Sequence, residues 1–246
     1  MLASEMSQGE RGPRWTAMTA LALVVGILAA FFSVRAAGPQ RPSPVPSAES
    51  DGQYGNPSDL DDYIAEMTSP ERDAWQKPDQ VVTALGLKKG ETACDIGSGP
   101  GYFTLRLARA VGFGGFVYAV DVEARMLQAL RERLERARVR NVAPVLAVSD
   151  DPLLPPGACD VVLVVDTYHH FPDRAGYLKR LRRSLKPRGR IVNIDYQRRP
   201  TPIGPPLDHR VARETFLTEA KGAGLSLVAE PTFLPYQYFL ILAAKK

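Results

Sequence analysis

Cysteine is scarce in this 246-residue chain: Cys94 and Cys159 are the only two, and each sits inside an apolar run. Two thiols cannot make a disulfide-stapled scaffold, and both read as small buried hydrophobes rather than as a bonded pair. No Cys-x-x-Cys pair or His/Cys cluster is present, so no metal site is expected. An excess of one charge is missing too. Lys and Arg total 31 against 27 Asp and Glu, and the net charge of +4 is spread along the sequence. That is not the footprint of a nucleic-acid binder. Internal repeats are also absent, which excludes a solenoid.

One long apolar run is present. Residues 16–34, "TAMTALALVVGILAAFFSV", carry no charge. At helical rise nineteen residues reach about 29 Å, close to the hydrocarbon thickness of a bilayer. The segment reads as a transmembrane signal-anchor or as a cleaved signal peptide. Its length favours the anchor, because a cleaved apolar region is usually about 7–15 residues. Arg11 and Arg14 precede it, and Arg35 and Arg41 follow, so orientation stays open. A bacterial-type inner membrane is the expected location. The domain reading is a tail over 1–15, the apolar segment over 16–34, a Pro/Ser-rich linker over 35–58 and a folded domain over 59–246.

Within the folded part, helical and strand patterns alternate. "DLDDYIAEM" reads as a short helix. Ser69 followed by Pro70 marks a helix start, and Pro78 marks a second. "TACDIG", "GFVYAVDV", "VAPVLAV", "CDVVLVVD" and "GRIVNID" read as strands, with amphipathic helices in most of the gaps. "CDVVLVVD" is almost uniformly apolar, as a strand buried on both faces should be. "HRVARETFLTEAKGAG" reads as one helix. "LSLVAEPTFL" and "YQYFLILAA" lie too close for a crossover helix and must pair antiparallel. The prediction is a Rossmann-like, seven-stranded, mostly parallel, doubly wound α/β sheet with an antiparallel C-terminal hairpin.

The first strand runs into "ACDIGSGPGYFT", residues 93–104. The dinucleotide fingerprint G-x-G-x-x-G needs a third glycine at position 102, which is Tyr102; the third glycine is Gly101. No Lys-Ser/Thr follows, so the loop is not a P-loop, and Pro100 removes one N–H from any phosphate cradle. Asp95 stands at its mouth, where a carboxylate would repel pyrophosphate and suit a cation. Asp121 ends the second strand, twenty residues after Gly101, where an acid accepts the hydroxyls of a ribose. A ribose and a positive group without phosphate describe S-adenosylmethionine.

These residues resemble a known family. "ACDIGSGPGYFT" is similar to motif I of the class I S-adenosylmethionine-dependent methyltransferases, and "VYAVDVEARML" to their second motif. "DTYHHFPD" with "LKRLRRSLKPRGRIVNID" looks like the later motifs of the small-molecule, ubiquinone/menaquinone-type branch. The resemblance covers roughly residues 76–246. It departs at "LKPRGR", where Arg188 replaces a glycine and leaves the left-handed turn position to Gly189. It implies that Gly97, Gly99 and Gly101 let the methionine end of the cofactor lie against the backbone, and that Asp95 orients its amino group. Asp121 would hold the ribose, Val122 would pack on the adenine, and Asp150 or Asp151 would reach the exocyclic amine. Asp166 and Thr167 would stand beside the transferable methyl.

Methyl transfer from a sulfonium needs mainly positioning, and a base only where the acceptor must lose a proton. "DTYHHF" sets Tyr168, His169 and His170 just past the fourth strand. Either histidine could be the base, or both could simply pack. His209 follows "RRPTPIGPP", a loop able to cover the pocket, and Arg198 and Arg199 could meet an anionic substrate or lipid headgroups. Thr167 and Tyr168 stand where nucleic-acid amine methylases have Pro-Pro, and two cysteines are too few for arsenite chemistry. The expectation is a methyltransferase for a small, lipophilic acceptor, anchored to a membrane through 16–34. The competing readings are a protein methyltransferase and a non-catalytic cofactor-binding module. Oligomeric state is not encoded in any pattern.

Overall fold

A computed structural model describes residues 59–245. The apolar segment 16–34, the linker and the membrane expectation lie outside those residues. Among the described residues, no helix is long and apolar enough to cross a membrane.

The N-terminal part is helical: α1 (Leu60–Met67), a 3-10 turn over Pro70–Arg72, α2 (Asp73–Gln76) and α3 (Pro78–Ala84). Ser69 caps the turn by accepting from the Glu71 N–H at 3.2 Å. Pro78 opens α3 as expected, because its missing N–H is one the first helical turn leaves unpaired. The sheet follows, with β1 (Thr92–Ile96), α4 (Thr104–Val111), β2 (Phe116–Asp121), α5 (Ala124–Arg136), β3 (Val142–Leu146) and β4 (Cys159–Val165). A 3-10 turn at Tyr168–His170 leads to α6 (Arg174–Ser184), β5 (Leu185–Tyr196), α7 (Arg213–Gly222), β6 (Leu225–Ala229) and β7 (Gln237–Ala244).

The strand order is β3-β2-β1-β4-β5-β7-β6. Strands β1 to β5 pair in parallel, while β7 runs antiparallel to both β5 and β6. The chain therefore reverses its direction of winding between β1 and β4, and the carboxyl ends of these two strands flank a crevice. Core side chains cover both faces. One cluster around Tyr168, Leu181 and Phe216 lies under α6 and α7, and another around Leu107, Val111 and Phe239 lies under α3 and α4. β4 is apolar and buried along almost its whole length, which is why its sequence shows no alternation.

Three local expectations are corrected. The cysteines are bonded: Cys94 in β1 and Cys159 at the start of β4 form a disulfide with Cα atoms 6.1 Å apart, both fully buried. They are 65 residues apart, and only the sheet order makes their strands neighbours. Gly189 does not take the left-handed turn position, since it is absent from the residues with positive φ. It is an interior residue of a long β5, where a Cβ would approach the Cys159 carbonyl to 2.8 Å. The helix expected from His209 begins only at Arg213. Residues before it form a loop, held by the Arg210 guanidinium, which donates to the carbonyls of Gln197, Arg199 and Pro205.

Candidate active site

The crevice at the carboxyl ends of β1 and β4 opens into a cavity of about 1490 Å³. Among its walls are Asp95, Gly97, Asp166, His169 and His170. Five of the predicted residues, drawn from β1 and from the segments that follow β1 and β4, therefore share one space.

The loop after β1 is built on positive φ. Gly97, Gly99 and Gly101 stand at +67°, +51° and +88°, conformations that favour glycine. Each also serves a close approach. A Cβ on Gly97 would lie 2.2 Å from the Thr167 hydroxyl, and one on Gly99 would lie 2.6 Å from Met67 Cε. A Cβ on Gly101 would meet Leu130 of α5 at 2.4 Å, so this glycine serves packing of the loop on α5. Gly97 lines the cavity, whereas Gly99 is covered by the Met67 side chain at the end of α1.

Asp95 is buried and accepts from the Thr104 hydroxyl at 2.6 Å. Asp121 is buried at the end of β2, accepting the Gly99 N–H at 2.7 Å and the Glu123 N–H at 2.9 Å. It thus ties the glycine loop to the start of α5. Burial raises both carboxyls to a pKa of about 6, with the backbone donors to Asp121 acting against the rise. Neither has a salt-bridge partner among the described residues. Two buried carboxyls without a cation suit a ligand that brings one.

Val122 is half-buried, and its side chain packs against the apolar core. Asp150 lies on the surface, 3.4 Å from Arg180, and Asp151 shares that arginine at 3.5 Å. Neither aspartate is on the cavity wall.

Asp166 follows β4 with φ of +50°, a conformation a short polar side chain tolerates better than most. Its carboxylate accepts from Gln237 Nε2 at 2.6 Å. Burial, with the Asp195 carboxylate nearby, raises its pKa. Tyr168 is withdrawn from the cavity into the core, where its hydroxyl donates to Glu219.

The next residue forms a contact that motif reading missed. Nδ1 of His169 lies 3.1 and 3.2 Å from the two carboxylate oxygens of Asp195. The imidazole is 5% exposed and the carboxylate 0%. Asp195 sits near the end of β5, where one of its oxygens also accepts the Tyr196 N–H at 2.8 Å. Burial alone would lower the His169 pKa, but the Asp195 hydrogen bond and the Asp195 and Asp166 charges outweigh it and leave the pKa raised. The neighbouring His170 ring is 4.1 Å away, centroid to centroid. Partial burial and the adjacent His169 push its imidazole below the ordinary range. The two histidines that looked alike are therefore unlike. His169 is backed by a carboxylate that raises its pKa, and His170 beside it has its pKa lowered. The only sequence signal for the dyad was one acid inside the strand "GRIVNID".

Aromatic and proline side chains complete the outer wall. Trp75 and Tyr196 have ring centroids 6.0 Å apart, and Ile203, Pro205 and Val211 come from the loop that Arg210 holds. His209 lines the cavity from that loop as well.

In sheet order and glycine loop the chain is similar to S-adenosylmethionine-dependent methyltransferases. The methyltransferase-domain family model matches residues 94–193, from β1 into β5. The chain is 29% identical over 130 residues to a demethylmenaquinone methyltransferase of Geobacillus, which is 53% of this chain and 54% of the relative. It is 32% identical over 128 residues to a ubiquinone/menaquinone biosynthesis C-methyltransferase of Pasteurella multocida, 52% of this chain and 47% of the relative. The chain thus spans about half the length of the curated relatives it matches. A solved S-adenosylmethionine-dependent methyltransferase from Aquifex aeolicus superposes with a TM-score of 0.70 at 25% identity, covering 74% of this chain and 96% of that one. The residues present fit S-adenosylmethionine: Asp95 would suit its ammonium, Asp121 its ribose hydroxyls, and the loop offers bare backbone.

Proposed function

We propose that the protein transfers the cofactor's methyl group to a small aromatic hydroxyl compound of the hydroquinone type. The observation that carries this reading is His169, backed by the buried Asp195, on the same cavity as Gly97 and Asp95. Bound S-adenosylmethionine supplies an electrophilic methyl on a sulfonium, whose departure as a neutral thioether needs no acid. The protein's task is then to place the acceptor and remove its proton. With Nδ1–H donated to Asp195, His169 keeps a lone pair on Nε2 for that proton. The new bond joins the methyl to the acceptor's oxygen or ring carbon, and the proton stays on the imidazole as Asp195 balances its charge. Trp75, Tyr196 and the proline-containing loop give an aromatic acceptor flat apolar surface. The relatives named for menaquinone and ubiquinone precursors support the same acceptor class.

In this reading Asp121 keeps its two backbone donors and accepts ribose hydroxyls with its remaining lone pairs, once the Met67 side chain moves from over Gly99. Incubating the protein with methyl-labelled S-adenosylmethionine and a panel of phenols, hydroquinones and peptides tests the acceptor. Label in a hydroquinone or phenol is expected, and label confined to peptides would reject the proposal.

We also infer that residues 16–34 hold the protein at a membrane. The uncharged nineteen-residue run and the proline-rich linker after it support this. The disulfide suits an oxidising compartment, which favours the outer side. The full chain should sediment with membranes and resist alkaline extraction. Recovery in the soluble fraction as an intact chain would overturn the anchor.

A further inference from the structure

Two buried polar atoms on the cavity-lining residues have no hydrogen-bond partner among the described residues: Nε of Arg72 and Oγ of Ser98. Ser98 is attached to the sheet through its backbone, whose N–H donates to the Val120 carbonyl at 3.0 Å. The Arg72 side chain is 12% exposed. Its NH1 donates to the Met67 carbonyl and its NH2 to Gln76 Oε1, both at 3.2 Å. Its guanidinium carbon lies 4.2 Å from the centre of the Tyr102 ring. The nearest carboxylate, Asp166, is 3.8 Å away and is already engaged by Gln237. Gln237 is in turn held by Gln76, whose Nε2 donates to it at 2.8 Å.

The guanidinium is therefore fixed on two edges and stacked on one face, with its Nε–H unused. A guanidinium N–H and a hydroxyl buried beside a ligand cavity without acceptors are costly unless the ligand supplies one. Arginine geometry suits a carboxylate. The methionine end of the cofactor carries one carboxylate and one ammonium. Asp95 and Asp166 on the same wall suit the ammonium and would repel the carboxylate, so the carboxylate needs a separate positive seat.

We propose that Arg72 Nε–H and the Ser98 hydroxyl bind the α-carboxylate of the cofactor. This rests on S-adenosylmethionine being the ligand, and it assigns the 3-10 turn before α2 to cofactor recognition. Arg72 lies outside residues 94–193, which the methyltransferase-domain model matches, and Ser98 lies within them.

The test is calorimetric and needs no acceptor. Three probes are titrated into the full-length protein: S-adenosylhomocysteine, its decarboxylated analogue, and 5′-methylthioadenosine, which lacks the whole amino-acid end. Hydrogen bonds to a charged group predict that the wild type prefers S-adenosylhomocysteine over the decarboxylated analogue by about 10–100-fold. Arg72→Gln should reduce that preference to within about threefold, with 5′-methylthioadenosine binding unchanged. Ser98→Ala, whose hydroxyl has no partner among the described residues, should reduce the preference by about 3–10-fold. It carries the test if Arg72→Gln does not fold. A wild type indifferent to the carboxylate overturns the proposal, as does a preference unchanged in Ser98→Ala and in folded Arg72→Gln. Failure of the wild type to bind any of the three probes would instead reject the cofactor reading itself.

Discussion

Replacing His169 with alanine lowers the turnover of methyl transfer by about 10²–10⁴-fold, the usual contribution of a positioned base. The affinity for S-adenosylhomocysteine stays within about threefold, because His169 is argued to act on the acceptor. His170→Ala, lacking a carboxylate behind it, has the smaller effect on turnover. The wild-type rate rises with pH through the His169 titration. The folded pKa is raised, so the imidazolium persists above its ordinary value and the rate climbs only once that proton is lost. Asp195→Asn separates positioning from catalysis. Without the carboxylate, burial dominates, the His169 pKa falls, and the rise in rate moves to lower pH while the plateau drops. The same titration acts on stability with the opposite sense. A raised histidine pKa stabilises the fold below the unfolded value, and that contribution is lost as pH climbs through the folded one. Steady-state rates across pH for wild type and the three variants check this. Equal plateaus in wild type and His169→Ala would remove His169 from the chemistry.

The second large effect is on stability. The Cys94–Cys159 bond closes 65 residues of sequence, and its loss should cost about 2–5 kcal/mol. For a domain of this size that corresponds to a fall in Tm of about 4–20 °C. The double variant Cys94→Ala/Cys159→Ala removes the bond and leaves small apolar groups in its place. Thermal unfolding of the oxidised wild type, the fully reduced wild type and the double variant should give one high and two low midpoints. Coincident midpoints, or two free thiols titrated in the denatured, unreduced protein, would contradict the bond. The bond joins β1 to β4, the strands whose carboxyl ends bear the glycine loop and Asp166. Its loss should therefore weaken cofactor binding as well as the fold.

Much of this architecture was legible because periodicity is local. The apolar run "CDVVLVVD" became a strand buried on both faces, and the short spacing before "YQYFLILAA" forced an antiparallel return. Pro78 opened a helix because its ring favours that position. Asp95 and Gly97 were found from their spacing in the loop, and the structure sets them together with Asp166, His169 and His170. What stayed hidden depends on neighbours distant in sequence. Cys94 and Cys159 meet only through the strand order. Asp195 looks like any acid near a strand end until the fold brings it to His169. Arg72 stands out in no local pattern, and only the fold places Tyr102 and Gln76 around it. The late start of α7 has a similar cause: "HRVA" fits a helical pattern, but Arg210 binds four carbonyls of the preceding loop and does not join a regular helix there. Val122 and Asp150 show the converse, since position in a motif did not bring their side chains to the cavity wall.

We assign S-adenosylmethionine to the Gly97–Gly101 loop, with Asp121 holding both loop and ribose. Titrating S-adenosylhomocysteine into wild type and Asp121→Ala by calorimetry tests it most directly. The carboxylate accepts from the Gly99 and Glu123 N–H groups and is assigned the ribose hydroxyls. Hydrogen bonds to a charged acceptor contribute roughly 1.5–3 kcal/mol each, so affinity should fall at least about tenfold. The predicted result is saturable one-to-one binding in the wild type and that loss in a folded variant. Equal affinity in the two proteins, or no binding in the wild type, would contradict the assignment.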